Sequence, residues 1–191
     1  MSEGGTQAES RRRLVLLRHA KSDWPDVADH ERPLAKRGRR DAPEAGRWLG
    51  ESGFAPDAVL CSTARRARET WALAAGPLEA ALPPPGTALP PARTALSPPV
   101  VRFEPRIYEA SVLGLLMLVR ELEPRWRTVL FVGHNPGLAE LTVGLADPDT
   151  ESPDGFPTAF AAVLGLSGGW AEAAPGEGRL LAFSVPADRR A

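Results

Sequence analysis

Short, continuous runs of apolar residues recur along the chain and alternate with longer segments of mixed polarity. Such runs, rich in β-branched residues, are typical of strands that are buried on both faces of a sheet. The segments between them carry the spacing and the capping residues of helices. This alternation predicts an α/β fold, a three-layer sandwich whose central sheet is mainly parallel. The predicted strands cover residues 14–17, 58–60, 128–132, 160–166 and 179–185.

Local signals predict where the first two helices begin and end. Asp41 and Glu44 have the spacing of a capping box, and Pro43 suits a first helical turn. The helix could also begin earlier and kink at this proline. A second helix is predicted over residues 63–75, where Gly76–Pro77 should stop it.

Two later helices are predicted from their capping residues. Ser111 precedes an apolar segment, and its hydroxyl can accept a hydrogen bond from a free backbone N–H group. Asn135 can cap the next helix in the same way, with Pro136 in the first turn. We therefore expect these two helices to begin at these residues.

The composition fits one globular domain and narrows the kinds of partner. The chain has 191 residues, of which 43% are hydrophobic, and we expect a single domain over residues 12–187. Residues 1–11 are polar and are expected to be a disordered tail. The proline-rich stretch at about residues 83–99 is expected to connect elements within the domain. The formal net charge of −1 gives no reason to expect a nucleic acid or a membrane as a partner.

Cysteine content and hydropathy indicate the compartment. The single cysteine, Cys61, cannot form a disulfide framework or a cysteine zinc site. No apolar run approaches the roughly 20 residues that a membrane-spanning helix needs. We therefore expect a cytoplasmic protein, and its oligomeric state stays open.

Polar side chains that a structural role does not need follow three of the predicted strands. Arg18 and His19 follow the first of them, and His134 follows the strand at 128–132. The strand at 58–60 leads into a helix that carries three arginines: Arg65, Arg66 and Arg68. Ligands of open α/β sheets bind beyond the carboxyl ends of the strands, and arginines with helix N-termini favour an anion such as phosphate. If the strands are neighbours, the sequence predicts a phosphate site.

Two kinds of chemistry could use such a site. An imidazole such as His19 can attack phosphorus while the flanking cations neutralise the transferred group. The two histidines could instead bind a metal ion, but the neighbouring arginines oppose a cation, so we expect no metal and no cofactor. Cys61 is not expected to be a nucleophile, because Ala67 stands where the Cys-x5-Arg pattern of cysteine phosphatases requires arginine.

Three segments resemble the histidine phosphatase superfamily, which includes the phosphoglycerate mutases. Residues 18–24 (Arg-His-Ala-Lys-Ser-Asp-Trp) resemble its Arg-His-Gly/Ala signature. Residues 62–70 resemble its Ser-Pro-Ala-x-Arg-Ala-x-Gln-Thr element, with Thr63 in place of the proline and Glu69 in place of the glutamine. Residues 133–135 (Gly-His-Asn) resemble its second histidine motif. The resemblance implies a phosphoglycerate mutase-like fold.

The resemblance also implies a role for each matching residue. His19 would be the nucleophile that becomes phosphorylated, without a metal ion. Arg18 and Arg66 would clamp the phosphate oxygens, and His134 would hydrogen-bond the phosphoryl group. The two arginines on either side of Arg66 in the same motif do not match the clamp.

The proton donor and two accessory phosphate ligands are less determined. Glu109 is the preferred acid and Asp23 is the alternative, although an imidazole leaving group would need no strong acid. Ser22 and Arg32 lie in the loop after the nucleophile and are predicted to bind phosphate. A salt bridge within the loop would explain Arg32 equally well.

Within the superfamily, the chain resembles the small SixA-type branch, whose named member is a phosphohistidine phosphatase. Residues 29–38 resemble its Asp-x-x-Arg-Pro-Leu-x-x-x-Gly element, and residues 107–111 resemble its Tyr-x-Ala-Ser segment. The resemblance implies a metal-independent phosphohydrolase. Phosphohistidine in a protein is the expected substrate, although membership of the branch does not by itself determine the substrate. The alternatives are a small-metabolite phosphatase, a mutase-like phosphotransferase and a non-enzymatic phosphoprotein-binding module.

Overall fold

A computed structural model describes residues 12–82, 98–150, 153 and 155–184, and its strands form one six-stranded sheet. The strands are β1 (Arg12–Arg18), β2 (Ala58–Cys61), β3 (Val100–Phe103), β4 (Thr128–Gly133), β5 (Ala161–Leu166) and β6 (Gly178–Phe183). Their order is β3-β2-β4-β1-β5-β6. The pairs from β3 to β1 are parallel, and β5 and β6 are antiparallel to their neighbours. The predicted α/β fold with a mainly parallel sheet is therefore confirmed.

Helices cover both faces of the sheet and complete the three layers. In the described ranges they are α1 (Lys36–Glu51), α2 (Arg65–Ala80), α3 (Val112–Arg120) and α4 (Gly137–Leu145). Successive side chains of a strand point to opposite faces. Leu14 and Leu16 therefore pack with α3 and α4, whereas Val15 and Leu17 pack with α1 and α2. Burial on both faces accounts for the continuous apolar runs in the sequence.

Helices α1 and α2 approach each other closely because α1 has a glycine at the contact. A Cβ atom on Gly46 would lie 2.1 Å from the carbonyl oxygen of Ala74 in α2, a distance that close packing does not allow. Helix α2 follows β2 after a short connection. Its first turn, which carries Arg66, therefore lies near the carboxyl end of β2.

The structure corrects both boundaries predicted for the first two helices. Helix α1 begins at Lys36, well before Asp41, so the capping box is wrong and Pro43 lies inside the helix, as the alternative interpretation allowed. Helix α2 continues through Gly76–Pro77 to Ala80, so the predicted stop is also wrong. Leu78, beyond the proline, is buried in the core, and this packing outweighs the backbone hydrogen bond that proline cannot form.

One of the two predicted caps is present. The Ser111 hydroxyl accepts a hydrogen bond from the backbone N–H of Gly114 at 3.2 Å, which confirms the cap of α3. Asn135 does not cap α4, because Pro136 occupies the N-cap position. The Asn135 Nδ2 atom instead donates to the carbonyl oxygen of Phe156 at 2.9 Å.

Some sequence expectations concern residues outside the described ranges. These are the tail at 1–11, residues 83–97 of the proline-rich stretch and the chain after residue 184. Among the described residues, no helix is both long enough and apolar enough to cross a lipid bilayer.

Candidate active site

The carboxyl ends of three parallel strands meet at one edge of the sheet. Strand β4 lies between β1 and β2 and runs parallel to both. Arg18 at the end of β1 is opposite Gly133 at the end of β4. The residues that follow them, His19 and His134, have ring centroids 5.0 Å apart. The strand order therefore brings the two histidine motifs together.

The imidazole of His19 is held in one tautomer. Its Nδ1 lies 2.8 Å from the carbonyl oxygen of Ala20, which can only accept, so Nδ1 carries the proton and Nε2 keeps its lone pair. Burial of the ring, together with the charges of Arg66 and Arg18, lowers the pKa of His19 to about 4. At neutral pH His19 therefore presents an unprotonated Nε2, which is the nucleophilic form.

Arg66 lies beside this nitrogen. Its Nε atom is 3.3 Å from Nε2 of His19, and the residue is only 6% exposed. The other edge of the guanidinium donates to Asp29, from Nη1 to the backbone oxygen at 2.7 Å and from Nη2 to Oδ2 at 3.0 Å. A phosphoryl group on His19 would therefore have a buried cation within hydrogen-bond reach.

Asp29 connects two arginines and a tyrosine. Besides Arg66, its carboxylate accepts from Nη1 of Arg32 at 2.8 Å and from the hydroxyl of Tyr108 at 2.7 Å. The hydrogen bonds from Arg32 and Tyr108 hold the pKa of Asp29 well below its usual range, so this carboxylate is ionised at neutral pH. Sequence reasoning did not include Asp29 and Tyr108 among the site residues. Both lie in the segments that resemble the SixA-type branch, and this position is the signal that could have identified them.

Ser62 contacts the second imidazole, that of His134. Its Oγ accepts from the backbone N–H of Ala64 at 3.3 Å and lies 2.8 Å from Nε2 of His134. When the Ser62 hydroxyl donates to Nε2, the ring proton of His134 is on Nδ1. Burial, followed by the charges of His19 and Arg66, lowers the pKa of His134 to about 3. Nδ1 is buried and has no partner in the described part of the chain. In the tautomer with the proton on Nδ1, neutral His134 can donate to a ligand.

Arg18 reaches the same site from the end of β1. Its Nη1 donates to the carbonyl oxygen of Phe156 at 2.8 Å, the same oxygen that accepts from Asn135. The positive charge of Arg18 contributes to the lowered pKa of both His19 and His134. A distant segment of the chain thus orients this arginine.

Arg32 and Ser22 lie next to these groups and bond to each other. Nη2 of Arg32 donates to the Ser22 hydroxyl at 2.7 Å, and Nε donates to the backbone oxygen of Asp23 at 3.0 Å. The ring of Trp24 covers the guanidinium, with its centroid 3.1 Å from Cζ. The structure thus shows the loop interactions that were the alternative for Arg32. Phosphate binding by Arg32 and Ser22 stays a prediction.

The two candidates for the proton donor are both exposed. Glu109 directly follows Tyr108 and has a positive φ of 54°. The Asp23 carboxylate accepts a hydrogen bond from the backbone N–H of Trp24 at 2.9 Å, so it is engaged within its own loop. The identity of the acid stays a prediction.

Comparison with known proteins connects this geometry to a family. A family model described as the histidine phosphatase superfamily (branch 1) matches residues 14–84, which include Arg18, His19 and Arg66. An uncharacterized protein of Mycobacterium tuberculosis (strain ATCC 25618 / H37Rv) is 38% identical over 178 residues, which are 89% of this chain and 99% of the relative.

Two solved structures are similar over nearly the whole chain. The SixA protein of Nakamurella multipartitia, named as a candidate phosphohistidine phosphatase, is 32% identical with a TM-score of 0.74, and the match covers 92% of this chain and 96% of that one. The SixA protein of Agrobacterium tumefaciens, named in the same way, is 26% identical with a TM-score of 0.69, and the match covers 92% of this chain and 99% of that one. Both structural matches cover much more of the chain than residues 14–84, which the family model matches.

Proposed function

We propose that this chain, which belongs to the SixA-type branch of the histidine phosphatase superfamily, hydrolyses phosphohistidine in proteins with His19 as its nucleophile. One observation carries the proposal. The His19 imidazole is buried and neutral, its Nδ1 is tied to the Ala20 carbonyl, and its Nε2 faces Arg66. This arrangement supports attack on a phosphorus atom that the neighbouring cations hold.

In the first step, the lone pair on Nε2 of His19 attacks phosphorus. A P–N bond forms at Nε2, and the bond to the leaving nitrogen breaks with its electron pair going to the substrate imidazole. Arg66 and Arg18 would balance the charge on the phosphoryl oxygens, and Nδ1–H of His134 would donate to one of them. Because these groups are already in place, each lowers the barrier without reorganisation, and the loss of one such donor costs about 10²–10³ in kcat.

In the second step, water attacks the phosphorus of the phosphorylated enzyme. The P–N bond breaks, its electron pair returns to Nε2 of His19, and inorganic phosphate leaves. Arg66 and His134 would stabilise the same oxygens as in the first step, because the phosphoryl group occupies the same place.

The placement of the acids supports phosphohistidine as the substrate. Asp29, which contacts the clamp, is ionised and cannot donate a proton, whereas Glu109 and Asp23 are exposed. The imidazole of phosphohistidine can take a proton from solvent on its second nitrogen and departs more readily than an alkoxide. For ester substrates, Glu109 is the proposed donor.

The first experiment tests the nucleophile. The purified full-length protein should hydrolyse a phosphohistidine-containing protein and an aryl phosphate in the presence of chelator, and labelled substrate should leave an acid-labile label on the enzyme. The chain has three histidines. His19→Ala should abolish turnover and labelling. His30→Ala, which removes a histidine that contacts Thr63 and Tyr108, should keep both. Turnover in His19→Ala would remove His19 as the nucleophile.

The second experiment tests the substrate class. Glu109→Gln should slow hydrolysis of an alkyl phosphate but leave phosphohistidine turnover within about twofold, the usual range for a surface substitution. Asp23→Asn removes the alternative donor and should change neither rate if Glu109 is the acid. Faster turnover of a sugar phosphate, or interconversion of phosphoglycerates, would replace the proposed substrate. Binding of the phosphoprotein without turnover would indicate a binding module.

We also propose that the protein acts in the cytoplasm. Its one cysteine, Cys61, is a free thiol, and burial raises its pKa to about 12, so it is an inert core residue and not a second nucleophile. Cell fractionation with an antibody against the protein would test this location.

A further inference from the structure

A carboxylate lies in contact with the arginine that is proposed to bind phosphate. Asp29 bonds to Arg66 through both its backbone oxygen and its Oδ2. A negative charge next to an anion site opposes anion binding. We therefore expect Asp29 to have a role that outweighs the weaker anion binding.

The first role of Asp29 is to orient the guanidinium of Arg66. An arginine side chain has five N–H donors in a fixed planar arrangement on a flexible stem. Asp29 takes one donor on Nη1 and one on Nη2, both on the edge that faces away from His19. These two bonds fix the plane of the guanidinium of Arg66 and leave its Nε directed at Nε2 of His19 at 3.3 Å.

The second role of Asp29 concerns the strength of the clamp. Oδ1 of Asp29 accepts from Arg32, whereas Oδ2 accepts from both Arg66 and Tyr108. The carboxylate thus offsets part of the positive charge of two arginines that are each almost fully buried. A clamp with less net charge holds inorganic phosphate less tightly, and the Tyr108 hydroxyl moderates that effect by withdrawing charge from Oδ2.

We propose that Asp29 is a positioning residue that aims Arg66 at the phosphoryl group on His19 and weakens the affinity of the site for the product, inorganic phosphate. The catalytic part of this inference rests on the proposed function. The affinity part concerns the anion site alone, because it can be measured without any substrate.

Asp29→Asn in the full-length chain tests both parts. Inorganic phosphate, titrated by calorimetry, should bind roughly two- to fivefold more tightly, since a partly exposed charge is removed from the clamp. The kcat for phosphohistidine protein should fall by about 10- to 100-fold, since a misplaced catalytic group costs up to about that much. Asp26→Asn, an exposed carboxylate three residues earlier in the same loop, should change neither quantity.

Tyr108→Phe provides a second variant with the opposite sign. The ring stays, but the hydroxyl that donates to Oδ2 is lost, so the carboxylate opposes phosphate more strongly and binding should weaken. A merely structural role for Asp29 would lower the thermal stability of both variants and would not tighten phosphate binding in either. Equal or weaker binding of phosphate by Asp29→Asn overturns the inference. If Asp29→Asn binds phosphate more tightly but the wild type does not hydrolyse phosphohistidine protein, the inference about phosphate affinity is supported and the proposed substrate is wrong.

Discussion

Replacing Arg66 with alanine tests the proposed clamp at the guanidinium that lies beside His19. The chain provides a matched control one residue earlier, since Arg65 carries the same charge at the start of the same helix. The guanidinium of Arg65 is half exposed and pairs with Glu69 at 2.8 Å, whereas that of Arg66 is buried and lies 3.3 Å from Nε2 of His19. The two variants therefore differ in the placement of the lost charge and not in its sign.

The expected loss follows from burial and distance. Arg66→Ala removes a preorganised donor from a buried site, so kcat should fall by about 10²–10³, which is roughly 3–4 kcal/mol of transition-state stabilisation. Arg65→Ala removes an exposed ion pair worth about 0.2–1 kcal/mol of folding stability, and kcat should stay within about twofold of the wild type. Asp29 keeps its bonds to Arg32 and Tyr108 in Arg66→Ala, so the variant should fold.

The assay is steady-state hydrolysis of phosphohistidine protein and of an aryl phosphate, with thermal unfolding of each variant as the check on folding. Arg66→Lys should fall between the wild type and Arg66→Ala, because a single ammonium keeps the charge but cannot bond to Asp29 and to phosphate in the same planar arrangement. If kcat of folded Arg66→Ala stays within about threefold of Arg65→Ala, a factor too small for a lost transition-state donor, Arg66 is not the clamp.

Two further predictions concern stability. Because the folded protein lowers the pKa of His19 to about 4 and of His134 to about 3 from an ordinary 6.5, the unfolded chain binds more protons in this range. The free energy of unfolding should be full above pH 6.5 and should decrease as the pH falls from 6.5 through the lowered pKa values of the two histidines. Urea unfolding should show a smaller decrease in stability between pH 7 and pH 5 for His19→Asn than for the wild type. An equal decrease would contradict the lowered pKa of His19. Gly46→Ala places a Cβ 2.1 Å from a backbone oxygen of α2 and should destabilise by about 1–3 kcal/mol. Gly144→Ala, whose Cβ meets Val112 alone among the described residues, at 4.0 Å, should stabilise by about 0.5–1 kcal/mol; thermal shifts of the same sign in both would refute this reasoning.

Features that depend on neighbouring residues could be predicted from the sequence. The strands that flank His19 and His134 are buried on both faces, so their apolar runs are continuous and unambiguous. The Ser111 cap needs only a hydroxyl and the N–H group three residues later. The end of α2 could not be predicted, because the helix continues past Pro77 to bury Leu78 against elements from other parts of the chain.

In the candidate active site, too, some features could be predicted from the sequence and others are determined only by the tertiary structure. The residues at the strand ends by themselves predict an anion site that contains His19. The resemblance of the local motifs to the histidine phosphatase superfamily then predicts His19 as the nucleophile and Arg66 as the phosphate-binding arginine. Only the tertiary structure shows that Asp29 holds Arg66 and that Tyr108, 79 residues away, donates to the same carboxylate. It also shows Asn135 bonded to Phe156 instead of capping α4. The physical reason is that a buried polar group bonds to the partner nearest in space, and sequence spacing determines that partner only within one turn or one strand.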